Sequence, residues 1–382
     1  MHIFKRITTS FLIWRLVLFL AAFASIYFLP VFGARFPYAD RVLEITHLPY
    51  WVWGWGNFDG VHYLRIAQDG YLAQYSQAFF PVFPMLIKLV SFIFPKNLSL
   101  NATLYTDPSF FYSGLILSNL FFLSSLYILY KLINLDFKKD VASLSIVLLL
   151  VFPTSFYFGA IYTESLFLFL SVLSVYLVRK NRFFLAAIII SISTATRITG
   201  ILLILFYLIE AIGSKKKLNL VWLLITPLGL LAYMYYLKIV FNNPIYFLTS
   251  QPSFGAGRSD SLILLPQVIY RYIRIFLTTN ILTLPFFNAF LEFVFTLFPL
   301  TALVIWFKKI RFSYWVFSLT TLLLGTFTGT FLSMPRFALI SIAFILPQIV
   351  IATGRYIKPI LFLLGLMASI LIMLFIRGYW VA

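Results

Sequence analysis

Between Trp55 and Pro84, Asp59, His62, Arg65 and Asp69 fall within eleven residues, packed among Trp, Tyr and Phe. Gly60 and Gly70 punctuate this stretch, and Pro81 and Pro84 end it. A carboxylate in an aromatic, partly water-excluded pocket is the raw material for a general base, because desolvation raises its pKa toward the working pH. An amphipathic helix resting on lipid headgroups, with His62 and Asp69 merely solvated, accounts for the same residue types, since aromatic belts are common at interfaces. On either reading the charges are too costly for the hydrocarbon, so the segment lies at the membrane edge or outside it.

Further candidates are scattered along the chain. Glu164, in Ile161-Tyr162-Thr163-Glu164-Ser165, is an acid close to lipid and so a functional candidate, or else a turn residue reaching the headgroups. Arg197, in Ala195-Thr196-Arg197-Ile198-Thr199-Gly200, is expensive at its depth unless it meets an anion: Glu164 structurally, or a phosphate functionally. Arg336, in Ser333-Met334-Pro335-Arg336-Phe337, is a second arginine isolated between two apolar runs, and Arg258 with Arg271 and Arg274 adds positive charge. Any one of these alone reads as a lipid anchor.

Other chemistries are excluded by type. With His2, His47 and His62 the only histidines and no cysteine, neither a His-rich nor a thiolate metal centre is available, and no disulfide or Cys nucleophile. No H-E-x-x-H, G-x-S-x-G or Walker sequence occurs, and the glycines near Phe254-Gly255-Ala256-Gly257-Arg258 lack P-loop spacing. No soluble nucleotide-binding domain is signalled, which argues against an ATP-driven pump and a Rossmann-bound donor. No metal or cofactor is expected.

The elements that must position these residues are membrane helices. The chain is 62% hydrophobic and 10% charged, with mean hydropathy +0.99, against roughly 25% charged in soluble domains. It reads as one all-α, polytopic integral membrane domain over residues 1–382. The formal charge of +18 sits mostly in short clusters between apolar runs, which marks topology rather than nucleic-acid binding. Apolar runs fall at 11–32, 110–132, 141–158, 164–178, 183–196, 198–212, 219–239, 286–307, 313–332, 337–353 and 359–377, or about eleven spans. The first, behind Lys5 and Arg6, is too long for a signal peptide, has no cleavage site and reads as retained.

Placing every basic cluster on the cytoplasmic side requires residues 183–212 to form two short helices turning near Arg197. Loop 33–109, Glu164, Arg197, loop 241–285 and Arg336 then emerge together on the opposite, extracytoplasmic face. Loop 33–109 is too long for a connector, and its apolar piece Phe79–Phe94 reads as an interfacial helix. The tripeptides at Asn97 and Asn101 fit the glycosylation pattern by chance as readily as by design.

Asp59-Gly60-Val61-His62-Tyr63-Leu64-Arg65-Ile66-Ala67, with Gly70-Tyr71 and Ala78-Phe79-Phe80-Pro81-Val82-Phe83-Pro84, closely resembles the PIG-V family. That family contains the second mannosyltransferase of GPI-anchor synthesis and prokaryotic relatives. Tyr162-Thr163-Glu164-Ser165-Leu166-Phe167, Arg197-Ile198-Thr199-Gly200 and Ser333-Met334-Pro335-Arg336-Phe337 follow in the family's order, with Phe58 where the family usually shows Trp. The resemblance implies a GT-C-like glycosyltransferase bundle with a large first outer loop. It implies a polyprenyl- or dolichyl-phosphate sugar donor, mannose in the first instance, and a lipid-linked, glycan or protein acceptor.

The acid of the first outer loop, here Asp59, would then be the base of an inverting transfer. His62, Tyr63, Arg65, Glu164, Arg197, Arg258 and Arg336 are the candidate substrate contacts. Such an enzyme works on the extracytoplasmic face of a prokaryotic cytoplasmic membrane, or the lumenal face of the ER in a eukaryote. The competing class, a transporter or flippase of a lipid-linked intermediate, usually shows internal repeats, and none is evident.

Overall fold

The computed structural model describes residues 2–33, 39–96, 101, 104–254 and 263–381; Arg258, Asn97 and most of the Asn101 tripeptide lie outside them. Among the described residues all regular structure is helical. Besides 3-10 turns and four-residue turns, the helices in chain order are α1 His2–Phe28, α2 Asp59–Asp69, α3 Val82–Ser91, α4 Pro108–Ile133, α5 Lys139–Val151, α6 Glu164–Arg179, α7 Phe183–Thr194, α8 Leu202–Ile212, α9 Leu228–Phe241, α10 Leu265–Thr278, α11 Leu284–Ile305, α12 Phe312–Thr326, α13 Met334–Ala343, α14 Leu346–Thr353 and α15 Ile357–Ile376. Among the described residues, five stretches can cross a membrane on length and composition: Ile3–Phe28, Pro108–Ile133, Leu218–Phe241, Leu284–Ile305 and Leu346–Ile376. The sequence counts about eleven runs; several of these fold as shorter apolar helices, because prolines and polar breaks interrupt them.

Local chemistry sets those interruptions. α4 starts where Asp107 accepts from the Ser109 backbone N–H at 2.9 Å with Pro108 in the first turn. α5 stops at Val151 because Phe152 precedes Pro153 and is extended, at ψ 136°. The Ser155 hydroxyl then donates to the Leu150 carbonyl at 2.6 Å, supplying a partner for a helix-end carbonyl.

Two reversals decide which residues meet. Phe183 and Tyr207 have ring centroids 5.5 Å apart, whereas one straight helix would separate them by roughly 36 Å. Residues 183–212 are thus a hairpin of α7 and α8, broken at 195–197. A side chain on Gly200 would come within 2.4 Å of the Ser193 carbonyl oxygen, so this turn closes only on a glycine. The second reversal lies at Gly354, at φ +49°, between α14 and α15. Gln348 donates to Lys309 O at one end of the bundle, while Phe375 O returns to Asn57 at the other.

The bundle is inside out relative to a soluble one. Leu12, Leu16 and Leu20 of α1 are 57–59% exposed, whereas Ser113, Ser125, Ser165 and Ser174 are fully buried. Such small hydroxyl residues let α4 and α6 approach closely, and Ser125 donates to Ser165 O at 3.4 Å. Met85, Leu89, Phe92 and Ile93 give α3 and the turn after it an exposed apolar face in the first long loop. Basic-cluster residues gather at one end, where Arg179 pairs with Asp136 at 2.7 Å and Arg311 with Glu210 at 2.6 Å. Asp59, Glu164, Arg197 and Arg336 gather at the other.

Candidate functional site

α2 opens on Asp59 after a tight entry. Phe58 adopts φ +59°, uncommon for a bulky residue, and is held there by burial against Phe375 and Trp380. Asn57 donates to Phe375 O at 2.9 Å, and the Tyr162 hydroxyl donates to Asn57 O at 2.9 Å while accepting from the Asp59 N–H at 3.2 Å. The first backbone donor of α2 is therefore satisfied by tyrosine, and the Asp59 carboxylate faces a different partner.

That partner is Arg336, whose Nη1 donates to Asp59 Oδ2 at 2.6 Å. Arg336 Nε also lies 3.1 Å from Glu164 Oε1, and Arg197 Nη1 donates to the same oxygen at 2.6 Å. Asp59, Arg336, Glu164 and Arg197 thus form a continuous tetrad with zero net formal charge, closed by residues 277 positions apart. Thr154 fixes the arginine's segment by donating to Pro335 O at 2.7 Å. Tyr157, Tyr162, Phe337 and Trp380 surround the Arg336 guanidinium at 5.1–5.9 Å from ring centroid to Cζ.

Exposure separates the two acids. The Glu164 side chain is 2% exposed and that of Asp59 21%. Glu164 is a sealed counter-ion for two arginines, whereas Asp59 is partly open to its surroundings. Arg197, 15% exposed, contacts Thr163 and Glu164 through Nη1.

The other sequence candidates divide. His62, one turn on from Asp59, stacks on Phe79 with centroids 4.7 Å apart. Burial pushes its imidazole below the ordinary value near 6.5 and the Asp59 charge opposes this in part. Tyr63 is packed beneath the site, edge-on to Phe79 and Phe83 and 3.4 Å from the Thr163 hydroxyl, and burial pushes its phenol up. Arg65 is not brought to the tetrad. It pairs with Asp69 at 2.5 Å and donates to Thr106 at 3.4 Å, because six residues on at 100° each turn it to another face of α2. Asp69 thus has Arg65 as its partner and is not a member of the tetrad. Sequence reading did not single out Asn57, Tyr157 or Trp380. Asn57 lies in the stretch from Trp55 to Pro84, Tyr157 only in the apolar run 141–158, and Trp380 carried no signal.

The sign of the His62 shift gives a stability test. A folded pKa below the unfolded one means the unfolded chain binds more protons as pH falls, so stability contributed by neutral His62 is present above about pH 6.5 and is lost below it. The slope should not exceed about 1.4 kcal/mol per pH unit. Thermal unfolding in lipid nanodiscs at pH 7.5 and 5.5 should show a smaller acid loss for His62→Gln than for wild type. Equal losses would remove His62 from this account.

The fold and site define a class: a membrane-type helical bundle carrying an acid–arginine tetrad at one end, with one acid accessible. Comparison with known proteins narrows it. A family model described as mannosyltransferase (PIG-V) matches residues 42–223, so the chain is PIG-V-like there. The match includes Asp59, His62, Tyr63, Arg65, Glu164 and Arg197, with Arg336 beyond it. GPI mannosyltransferase 2 of Schizosaccharomyces pombe is 28% identical over 163 residues, 42% of this chain and 33% of that protein. Its counterpart in Drosophila pseudoobscura pseudoobscura is 28% identical over 145 residues, 37% of this chain and 30% of that one. The matches thus span about a third of these curated relatives. The crystal structure of the Archaeoglobus fulgidus oligosaccharyltransferase in its apo form superposes with a TM-score of 0.46 at 13% identity, over 97% of this chain and 56% of that one.

Proposed function

We propose that this protein is a GT-C-like mannosyltransferase that moves a mannosyl group from a polyprenyl-phosphate donor to an acceptor hydroxyl at the extracytoplasmic end of the bundle, with inversion. The observation that carries this reading is the unequal exposure of the two tetrad acids, both within the PIG-V-like stretch, which leaves Asp59 as the more accessible carboxylate of the tetrad. Arg336 holds Oδ2, and Oδ1 takes the proton of the attacking hydroxyl. The oxygen–C1 bond forms as the C1–O bond to the donor phosphate breaks, and polyprenyl phosphate leaves with that electron pair. The departing charge needs little acid help where a guanidinium meets it. Arg197 fills that role, since among the described residues its hydrogen bonds use Nη1.

The donor's lipid tail remains in the bilayer beside the exposed apolar faces, and the acceptor is a lipid-linked or glycan hydroxyl. Purified protein in nanodiscs with polyprenyl-phosphate-mannose and an α-mannosyl or glucosaminyl lipid acceptor should release polyprenyl phosphate stoichiometrically with new glycoside. No release with any such acceptor would sink the reading. The face of action is tested separately on the Cys-free chain. A cysteine at position 216 should be shielded from an impermeant thiol reagent applied to intact cells, and labelling there would reverse the topology.

A further inference from the structure

Glu292 is a carboxylate in the middle of α11, 6% exposed and outside both the tetrad and the PIG-V-like stretch. Among the described residues its carboxylate has one hydrogen-bond partner, the Tyr272 hydroxyl, which donates to Oε2. Tyr272, 3% exposed on α10, in turn accepts from the Phe331 N–H at 3.0 Å, lies 3.3 Å from the Thr330 hydroxyl and packs tilted against the Phe331 ring with centroids 4.6 Å apart. Next to it, Arg271 Nη1 donates to Gly329 O at 2.8 Å, and Ile263 N donates to Phe327 O at 3.1 Å.

One turn is therefore gripped repeatedly from the second outer loop. The backbone then runs directly to the site. Phe331 O accepts from Met334 N at 2.9 Å, Ser333 reverses the chain at φ +66°, and Ser333 O accepts from Arg336 N at 3.1 Å. A buried carboxylate costs several kcal/mol of desolvation, and the bonded outcome here is a fixed turn at residues 329–333.

We infer that Tyr272 and Glu292 are positioning residues which hold the turn before α13, and so set Arg336 on Asp59 and Glu164. The kinetic half of this inference rests on the mannosyltransferase reading; the structural half does not. Tyr272→Phe deletes the hydroxyl's bonds to Glu292, Phe331 N and Thr330 while keeping the ring. In nanodiscs it should raise amide exchange across 329–337 by about tenfold, leaving α4 and α6 unchanged, since one hydrogen bond to a charged group is worth about that factor. It should lower kcat by about tenfold with KM within about twofold.

Glu292→Gln keeps an acceptor for the tyrosine and should restore near-wild-type exchange and kcat, whereas Glu292→Leu should behave like Tyr272→Phe. On an Arg336→Lys background, Tyr272→Phe should cost less than about twofold more, because the two act through one group. Unchanged exchange at 329–337, fully multiplicative kinetic losses, or a Glu292→Gln variant as impaired as Glu292→Leu would each overturn the inference. A wild-type protein that transfers no mannose would sink the proposed function instead, and the exchange data would still decide this one.

Discussion

Asp59→Asn should fold, insert and bind donor, yet turn over at least about a hundredfold more slowly than wild type, since general-base catalysis is typically worth 10²–10⁴-fold. The asparagine keeps size and a hydrogen-bonding oxygen for Arg336 Nη1, now 2.6 Å from Oδ2, but cannot take a proton near neutral pH. Stability should change little. Asp59 is partly exposed, the N–H at the start of α2 is bonded by Tyr162 rather than by this side chain, and Arg336 retains Glu164. The measurement is single-turnover transfer from polyprenyl-phosphate-mannose, alongside a thermal unfolding curve. Asp69→Asn is the control: it loosens the pair with Arg65 and should leave turnover within a few-fold. An Asp59→Asn enzyme within a few-fold of wild type, beside an inactive but folded Glu164→Gln enzyme, would transfer the base role to Glu164.

Glu164→Gln should give the opposite pattern, a severe loss of stability. Its Oε1 is shared by Arg197 at 2.6 Å and by Arg336 at 3.1 Å, in a site where the side chain is 2% exposed. Neutralising it leaves two guanidiniums facing one amide, with Asp59 the remaining anion. Removing one partner from a buried pair typically costs about 3–5 kcal/mol, because the charge left behind is uncompensated. Arg197→Met on the Glu164→Gln background should recover a large part of that loss by removing the surplus cation. Unfolding midpoints of the single and double variants check this. A Glu164→Gln protein as stable as wild type would mean the tetrad is not the electrostatic core drawn here.

Read alone, the sequence determined the composition class, the helical character of the apolar runs and the long loop after the first of them, because apolar runs and their breaks are local signals. Asp59, Glu164, Arg197 and Arg336 were each legible as charges too costly to leave unpartnered near lipid, and the topology argument put them on one side. The hairpin at 195–197 was also legible, since only a turn kept the arginines at 179–182 and the lysines at 215–217 together.

Glu164 was legible as one anion for Arg197, but the tetrad as a whole lay beyond the sequence. Arg197, open in the sequence to Glu164 or to a phosphate, pairs with Glu164, and Arg336 pairs with Asp59; which anion an arginine meets depends on distances set by packing of α2, α6 and α13. Arg65 went the other way for the same reason: its spacing from Asp59 fits a shared motif, and the helical rotation of α2 turns it toward Asp69. Trp380 and the Tyr272–Glu292 pair were invisible because their contacts cross 44 residues or more between Arg336 and the end of the chain, or tie two helices to a turn near residue 330. Periodicity reports which face of a helix is apolar; it carries no information about which distant side chain arrives there. Only the tertiary fold brought the four charges into contact and left Asp59 the accessible one.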